Sequence, residues 1–332
     1  MVVATVAVVC VLLAALTLWY QLESHALGPR GRQVVITVHD GEGSGAVVDA
    51  LSQAHVIGSA LAFRISNLFH GAPNPVPGAY ALYENESFSE VRTVLGAGPN
   101  VLTVDVRPGL TLAEVAQRVG AAVPGHSSQS FLRSAQSGVV HSAFSVAGSN
   151  NLEGMLGVGS YTVLPGETDT TLLRQMVDRF DRSATAAGLS VASANALGMT
   201  PAQVITVASV VQKEGYYPKN MPKVARVIYN RLARGMPLQM DSTVLYAIGQ
   251  DGGPVTSEDL AIRSPYNTYL NTGLPPTPIC MPSLDALDAA IHPPEGGWLY
   301  FVLVQSDGTM AFSDTYAEQL ANQQLATSRG LP

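Results

Sequence analysis

Read for its apolar and polar positions, the chain opens on its longest uncharged run. Val2 to Tyr20 holds 19 residues without a charge and closes on Trp19 and Tyr20. That is long enough to span a bilayer core, with aromatic rings at its edge. A cleaved signal peptide is the competing reading, with Ser24-His25-Ala26 as a small-x-small site. The basic start and short apolar core of a signal peptide are missing, so an uncleaved anchor over residues 1–20 is favoured. Arg30 and Arg32 follow the span and nothing basic precedes it, which formally opposes an outside body. A long folded body translocates largely regardless of such charges, and a longer N-terminus would also account for the bare start.

After a linker at 21–32, QVVITV (33–38) reads as a strand and DGEGSG as the turn behind it. Helical patterns follow over 46–53 and 59–69, and GAYALY (78–83) is a second strand after the loop GAPNPVPG. Strand, helix, helix, strand in this order resembles a LysM-like βααβ unit over 33–105, a module that holds glycan chains. NVLTVDV (100–106) is a third strand, leading through Pro108-Gly109 into TLAEVAQRVG. Thr111 and Glu114 have capping-box spacing, which assigns Glu114 to structure. Residues 121–150 are Ser/Gly/Ala-rich with weak periodicity, and 170–182 form an amphipathic helix through Leu172, Leu173, Met176, Val177 and Phe180.

Thr200-Pro201 is a strong helix start. Val204, Val207 and Val211 then recur at helical spacing, and the next position of that stripe is Glu214. GYYPKN is a loop before a second helix from Pro222 to Arg234, stopped by Gly235. WLYFVLV (298–304) and TMAFSD (309–314) flank Ser306-Asp307-Gly308 as a hairpin. The class predicted is α+β: a transmembrane helix, the small βααβ unit, a connecting region over 106–199 and a mixed α/β core over 200–332.

Composition narrows the function. A content of 47% hydrophobic and 13% charged residues describes a folded chain. Its net charge of −7 supplies no basic stripe for nucleic acid. Cys10 lies in the apolar run and Cys280 in a Pro-rich loop, so they are not expected to pair. No HExxH, CxxC pair or His cluster points to a metal, and GEGSG lacks the lysine of a phosphate loop. No GxSxG elbow exists either, and no cofactor is implied. Carboxylates, amides and tyrosines remain, the equipment of carbohydrate chemistry.

Glu214 is the first candidate. A carboxyl desolvated at the end of an apolar helix face holds its proton toward neutral pH and can donate it to a glycosidic oxygen. The bland alternative is a helix-end Glu turned to solvent or paired with Lys213 or Arg226. Asn230, three residues past Val227, can face the same cleft or simply lie on the surface beside Arg231. Gln239, Asp241, Thr243 and Tyr246 cluster in one turn-to-helix segment, where Asp241 also suits a helix cap. Tyr266, Asn267 and Tyr269 in PYNTY can bond sugar hydroxyls and stack on pyranose faces, or form an ordinary Asn-containing turn.

VASVVQKEG, then VARVIYNRLARGMPLQMDSTVLYAIG, YNTYLNTGLPPTPI, HPP and YFV run in unbroken order from about 200 to 316. This series is similar to the YceG-like (MltG) family of endolytic murein transglycosylases. A weaker similarity reaches back through Leu152-Glu153-Gly154, and the Gln-Lys-Glu motif fits an actinobacterial type. The resemblance implies a single-pass membrane protein with its body outside the cytoplasmic membrane. Its substrate would be peptidoglycan strands, cut at MurNAc-β-1,4-GlcNAc bonds to leave 1,6-anhydro ends and terminate strand elongation. Cell-wall synthases such as penicillin-binding proteins would be its partners.

The family's catalytic glutamate falls on Glu214, and the first acid of its motif is Gln212 here. Asn230, Gln239, Asp241, Thr243, Tyr246, Tyr266, Asn267 and Tyr269 fall on cleft positions. Departures occur at Gly157–Ser160, Met310 and Gln319. A lone strong acid suits a lyase, whereas a hydrolase needs two carboxylates. The alternatives are an inverting muramidase using Glu214 and Asp241, and a non-catalytic glycan-binding membrane scaffold.

Overall fold

The computed structural model describes residues 2–26 and 28–331. They group into two compact units, the first up to 103 with 162–167, the second 104–161 with 168 onward.

In the first unit, α1 (Val2–Ser24) contains a 20-residue stretch, Thr5–Ser24, long and apolar enough to cross a membrane. Its last turns are not free: Trp19 and Tyr20 pack against the unit's core, Tyr20 edge-on to Phe88 with centroids 6.5 Å apart. β1 (Gln33–Val38), α2 (Ser44–Gln53), α3 (Ala60–His70) and β2 (Gly78–Tyr83) reproduce the expected strand, helix, helix, strand order. β1 and β2 pair antiparallel from Gln33↔Tyr83 to Val38↔Gly78. Leu51, Phe63, Tyr80, Leu82 and Phe88 fill the space beneath them. α4 (Phe88–Ala97) was not anticipated, although Ser87 and Glu90 make a full capping box at its start.

β3 (Leu102–Val106) precedes α5 (Leu112–Ala122), α6 (Ser128–Gln136) and β4 (Gly159–Val163), and β3 pairs with β4. The expected Thr111–Glu114 box caps α5. α6 emerges from the serine-rich stretch that showed weak periodicity. Its start is fixed by a Ser127–Ser130 box, while only Phe131 and Ala135 are buried along it. α7 (Asp169–Ala186) buries the predicted face of Leu172, Leu173, Met176, Val177 and Phe180, and α8 (Val191–Ala196) follows.

α9 (Pro201–Glu214) starts at Thr200 and Pro201 as expected, but the valine stripe is only part of its burial. Every residue from Val204 to Val211 is buried. A helix apolar on all sides is a central one, and each fully buried valine contributes roughly 1.5–3 kcal/mol. α10 (Met221–Ala233), α11 (Asp241–Ala247), α12 (Ser257–Leu260) and α13 (Leu284–Ile291) follow it. α9 packs against α10, α11 and α13. The hairpin β5 (Tyr300–Leu303) and β6 (Met310–Ser313) pairs antiparallel, followed by α14 (Tyr316–Ser328).

Candidate active site

Glu214 is the last residue of α9, where the helix must stop abruptly. Gly215 makes that possible: a Cβ there would lie 2.6 Å from Met221 Cγ and 2.8 Å from Val211 O. The next residue, Tyr216, takes the left-handed conformation at φ 50°, an uncommon geometry for a bulky residue. The corner turns the Glu214 side chain into a cavity of about 860 Å³, also lined by Gln212, Asp241, Ser242, Tyr246 and Glu153.

The ion-pair alternatives for Glu214 do not form. Lys213 pairs with Asp251, and Arg226 donates to the carbonyls of Pro293 and Pro294. Instead, Glu214 Oε1 accepts from Ser242 Oγ at 2.7 Å and from Ser242 N at 3.2 Å. Loss of solvent raises its pKa most, the two Ser242 bonds oppose the rise, the negative charge of Asp241 adds to it, and the more distant charge of Arg231 opposes it. The carbonyl end of α9 acts in the same direction, since a helix C-terminus disfavours a carboxylate. The result is an acid displaced toward holding its proton, seated in a cleft wall and still partly open to it.

The other expected site residues divide. Asp241 lies in the cavity wall, and the Tyr269 hydroxyl donates to its Oδ1 at 2.5 Å. It does not cap α11, because the N-cap position belongs to Met240, which makes no side-chain cap bond. Tyr246 lines the cavity, and its ring lies 4.9 Å from that of Tyr266. Tyr266 bonds Thr277 Oγ1 at 2.8 Å. Gln239 is exposed, at φ 50°, and is tied through its backbone N–H to Thr268 O.

Three residues take other positions than a cleft lining. Asn230 donates to the carbonyls of Gly296 and Trp298, at 2.9 and 2.8 Å, and so braces that turn. Thr243 is buried and donates to Met240 O. Asn267 is buried and donates to the carbonyls of Leu260 and Ile262, holding the PYNTY loop from within. Amides and hydroxyls suited to sugars are equally suited to orphan carbonyls in irregular chain, and here the carbonyls claim them.

A second carboxyl, which residue patterning did not single out, stands in the same cavity. Glu153 is only 6% exposed. Its Oε1 accepts from Leu112 N at 2.9 Å, in the first turn of α5, and its Oε2 from the Tyr246 hydroxyl at 3.2 Å. Burial pushes its pKa up to about 7, with the charge of Glu114 adding to the rise. The expectation of a lone acid is thereby corrected. Ser242 and Tyr246 are four residues apart on α11, so the partners of Glu214 and Glu153 lie one helical turn apart on one face. The only sequence signal for Glu153 was its place in Leu152-Glu153-Gly154. Among the described residues no group of three or more His, Cys, Asp or Glu is arranged to hold a metal.

The YceG-like family profile matches residues 36–325. An endolytic murein transglycosylase of Bacillus subtilis is 45% identical over 116 residues, 35% of this chain and 32% of its own length. One from Streptococcus pneumoniae is 27% identical over 321 residues, covering 88% of this chain and 58% of its own. The chain thus spans between about a third and three-fifths of these curated relatives. A crystal structure of a yceG-like protein of Listeria monocytogenes superposes with a TM-score of 0.61 at 25% identity, over 87% of this chain and 98% of that one.

Proposed function

The chain belongs to the YceG-like family, and from that premise we propose that it is an endolytic murein transglycosylase. It would cut MurNAc-β-1,4-GlcNAc bonds inside glycan strands and leave 1,6-anhydro-MurNAc ends. The observation that carries this reading is Glu214: a desolvated carboxyl at the wall of a large cleft, held by Ser242 and, among the described residues, with no cationic partner within hydrogen-bond reach.

Its proton passes to the departing GlcNAc oxygen as the C1–O bond breaks and oxocarbenium character develops at MurNAc C1. The MurNAc N-acetyl group stabilises that cation. The Glu214 carboxylate then accepts the proton of the C6 hydroxyl, whose oxygen bonds to C1 and closes the anhydro ring. The proton lost in the first half is regained in the second, so one residue serves both. Ser242 steadies the carboxylate between the halves. Tyr246, Tyr266 and Tyr269, their hydroxyls bonded within the chain, offer their rings to sugar, with Asp241 and Gln239 beside them, while Asn230, Thr243 and Asn267 act by holding the surrounding chain in place.

In this reading α1 anchors the chain in the cell membrane with the body on the extracytoplasmic side. Residues 33–105 act as a LysM-like subdomain that retains the strand, 106–199 connect, and 200–332 form the catalytic core. Cell-wall synthases are the fitting partners, since they supply nascent strands at the membrane. An inverting muramidase using Asp241 is the reading to exclude, because Asp241 shares the cleft with Glu214. Incubating the purified chain with uncrosslinked glycan and identifying the new ends by mass spectrometry decides between them. Anhydro ends are expected, and reducing MurNAc ends would overturn the lyase.

A further inference from the structure

The one-acid mechanism leaves Glu153 unused, although burying a carboxyl costs several kcal/mol unless it is neutral or well bonded. Its surroundings show what it is built for. Oε1 is taken by Leu112 N–H and Oε2 by the Tyr246 hydroxyl, so each oxygen is engaged by a different element. Gly154 seals the corner: at φ 76°, a Cβ there would lie 2.4 Å from Pro278 Cβ and 3.2 Å from Cys280 O. Among the described residues, the titratable groups acting on or beside Glu153 are Glu114 from α5, Tyr246 from α11 and Cys280 from the segment beyond Pro278. Lys213 of α9 lines the same cavity but is paired with Asp251. Tyr246 in turn packs on Tyr266, which is bonded to Thr277.

We propose that Glu153 is a positioning residue, a buried carboxyl that clamps the start of α5 to Tyr246 and so fixes the Tyr246 face of the glycan cleft, with Tyr266 packed against it. This rests on the cavity being that cleft. It assigns Glu153 no proton transfer to substrate, because the residue is buried and both its oxygens are already bonded within the chain. Glutamine keeps the size and both links, its carbonyl accepting from Leu112 N–H and its amide donating to a tyrosine hydroxyl turned to accept, whereas alanine keeps neither.

The test uses the full chain in detergent, comparing the parent with Glu153→Gln, Glu153→Ala and Tyr246→Phe. Cleavage of uncrosslinked glycan is followed from pH 5 to 8, and thermal unfolding is recorded in the same buffers without glycan. Glu153→Ala is expected to raise KM about fivefold or more with kcat within about threefold, Tyr246→Phe to raise KM less, and Glu153→Gln to restore the parent KM, as for a group that shapes binding rather than the chemical step. A hundredfold loss of kcat in Glu153→Gln at unchanged KM would make Glu153 a catalytic acid and overturn the proposal.

The unfolding arm stands whether or not the chain cleaves glycan. Between the ordinary carboxyl value of 4.5 and about 7, the folded chain keeps the Glu153 proton that the unfolded chain releases. The stability of the parent therefore falls as pH rises through that window and levels off above it. Glu153→Gln lacks this loss, so its Tm should gain on the parent from pH 5 to 8. A Tm difference that stays flat would overturn the buried clamp. Absence of cleavage by the parent with the Tm gain intact would overturn the proposed function and leave the clamp standing.

Discussion

Two Glu-Gly corners face one cavity, and they differ in what their carboxyls have left to offer. Glu214 and Glu153 each accept a backbone N–H from the first turn of a helix and a hydroxyl from α11. Desolvation raises the pKa of both, and an acidic neighbour adds to each rise, Asp241 for one and Glu114 for the other. Each is followed by a glycine at a close backbone approach. At Glu214, however, both Ser242 bonds fall on Oε1 and the side chain is partly open to the cleft. At Glu153 both oxygens are engaged and the residue is buried. A shifted pKa by itself therefore does not identify the acid that works; access for substrate does.

The comparison breaks most directly at Glu214→Gln. The amide keeps the size and can still accept from Ser242, but it has no proton to give. Positioned acid–base catalysis contributes about 10²–10⁴-fold, and in the proposed reaction both halves use this group. Anhydro-end release is expected to fall about 10³-fold or more, with Tm equal to or above that of the parent because a buried acid is removed. Mass spectrometry of the ends and a melting curve on the same preparation check both statements.

Ser242→Ala is the next largest. It removes the hydroxyl that favours the Glu214 carboxylate, so the pKa rises further and the alkaline limb of kcat/KM moves to higher pH. A hydrogen bond to a charged group contributes about 1.5–3 kcal/mol, which corresponds to roughly a tenfold or larger loss of rate when the carboxylate must form. Asp241→Asn acts in the opposite direction and more weakly. With the negative neighbour gone, Glu214 releases its proton more readily and the alkaline limb moves to lower pH, with kcat changed only about two- to fivefold by the charge at surface-like screening. Anhydro ends should persist in this variant, which would remove Asp241 as a second catalytic carboxylate. The contrast in sign between the two pH profiles is the sharper observation.

Much of this arrangement was legible in the chain. The start of α9 followed from Thr200-Pro201, its course to Glu214 from the valine spacing, and the α5 cap from Thr111 and Glu114. What escaped was long-range. α6 is a serine-rich helix burying only two side chains, so apolar periodicity had little to report. Asn230, Thr243 and Asn267 read as sugar ligands because a side chain's type does not say which carbonyl will reach it. Glu153 stayed hidden for the same reason. Its dipeptide with glycine also occurs at Glu42-Gly43 and Glu295-Gly296, and only contact with Leu112 and Tyr246, far along the chain, makes it a buried acid.

The smallest effect is expected where the family motif departs, at Gln212. Its side chain lines the cavity, and its Oε1 accepts from Ser283 N at 2.8 Å. A glutamate there would accept the same N–H, so Gln212→Glu should fold normally and change kcat at optimal pH by no more than about twofold, since no proton transfer runs through that atom. The added charge should still be felt by Glu214 as a like neighbour, moving the alkaline limb slightly upward. A strong gain of activity would show the restored acid sharing the chemistry, and would end the assignment of Glu214 as the one group that both gives and takes the proton. A small upward shift with unchanged product would place all three carboxyl positions in order: Glu214 acts, Glu153 holds the cleft wall, and position 212 adjusts the field.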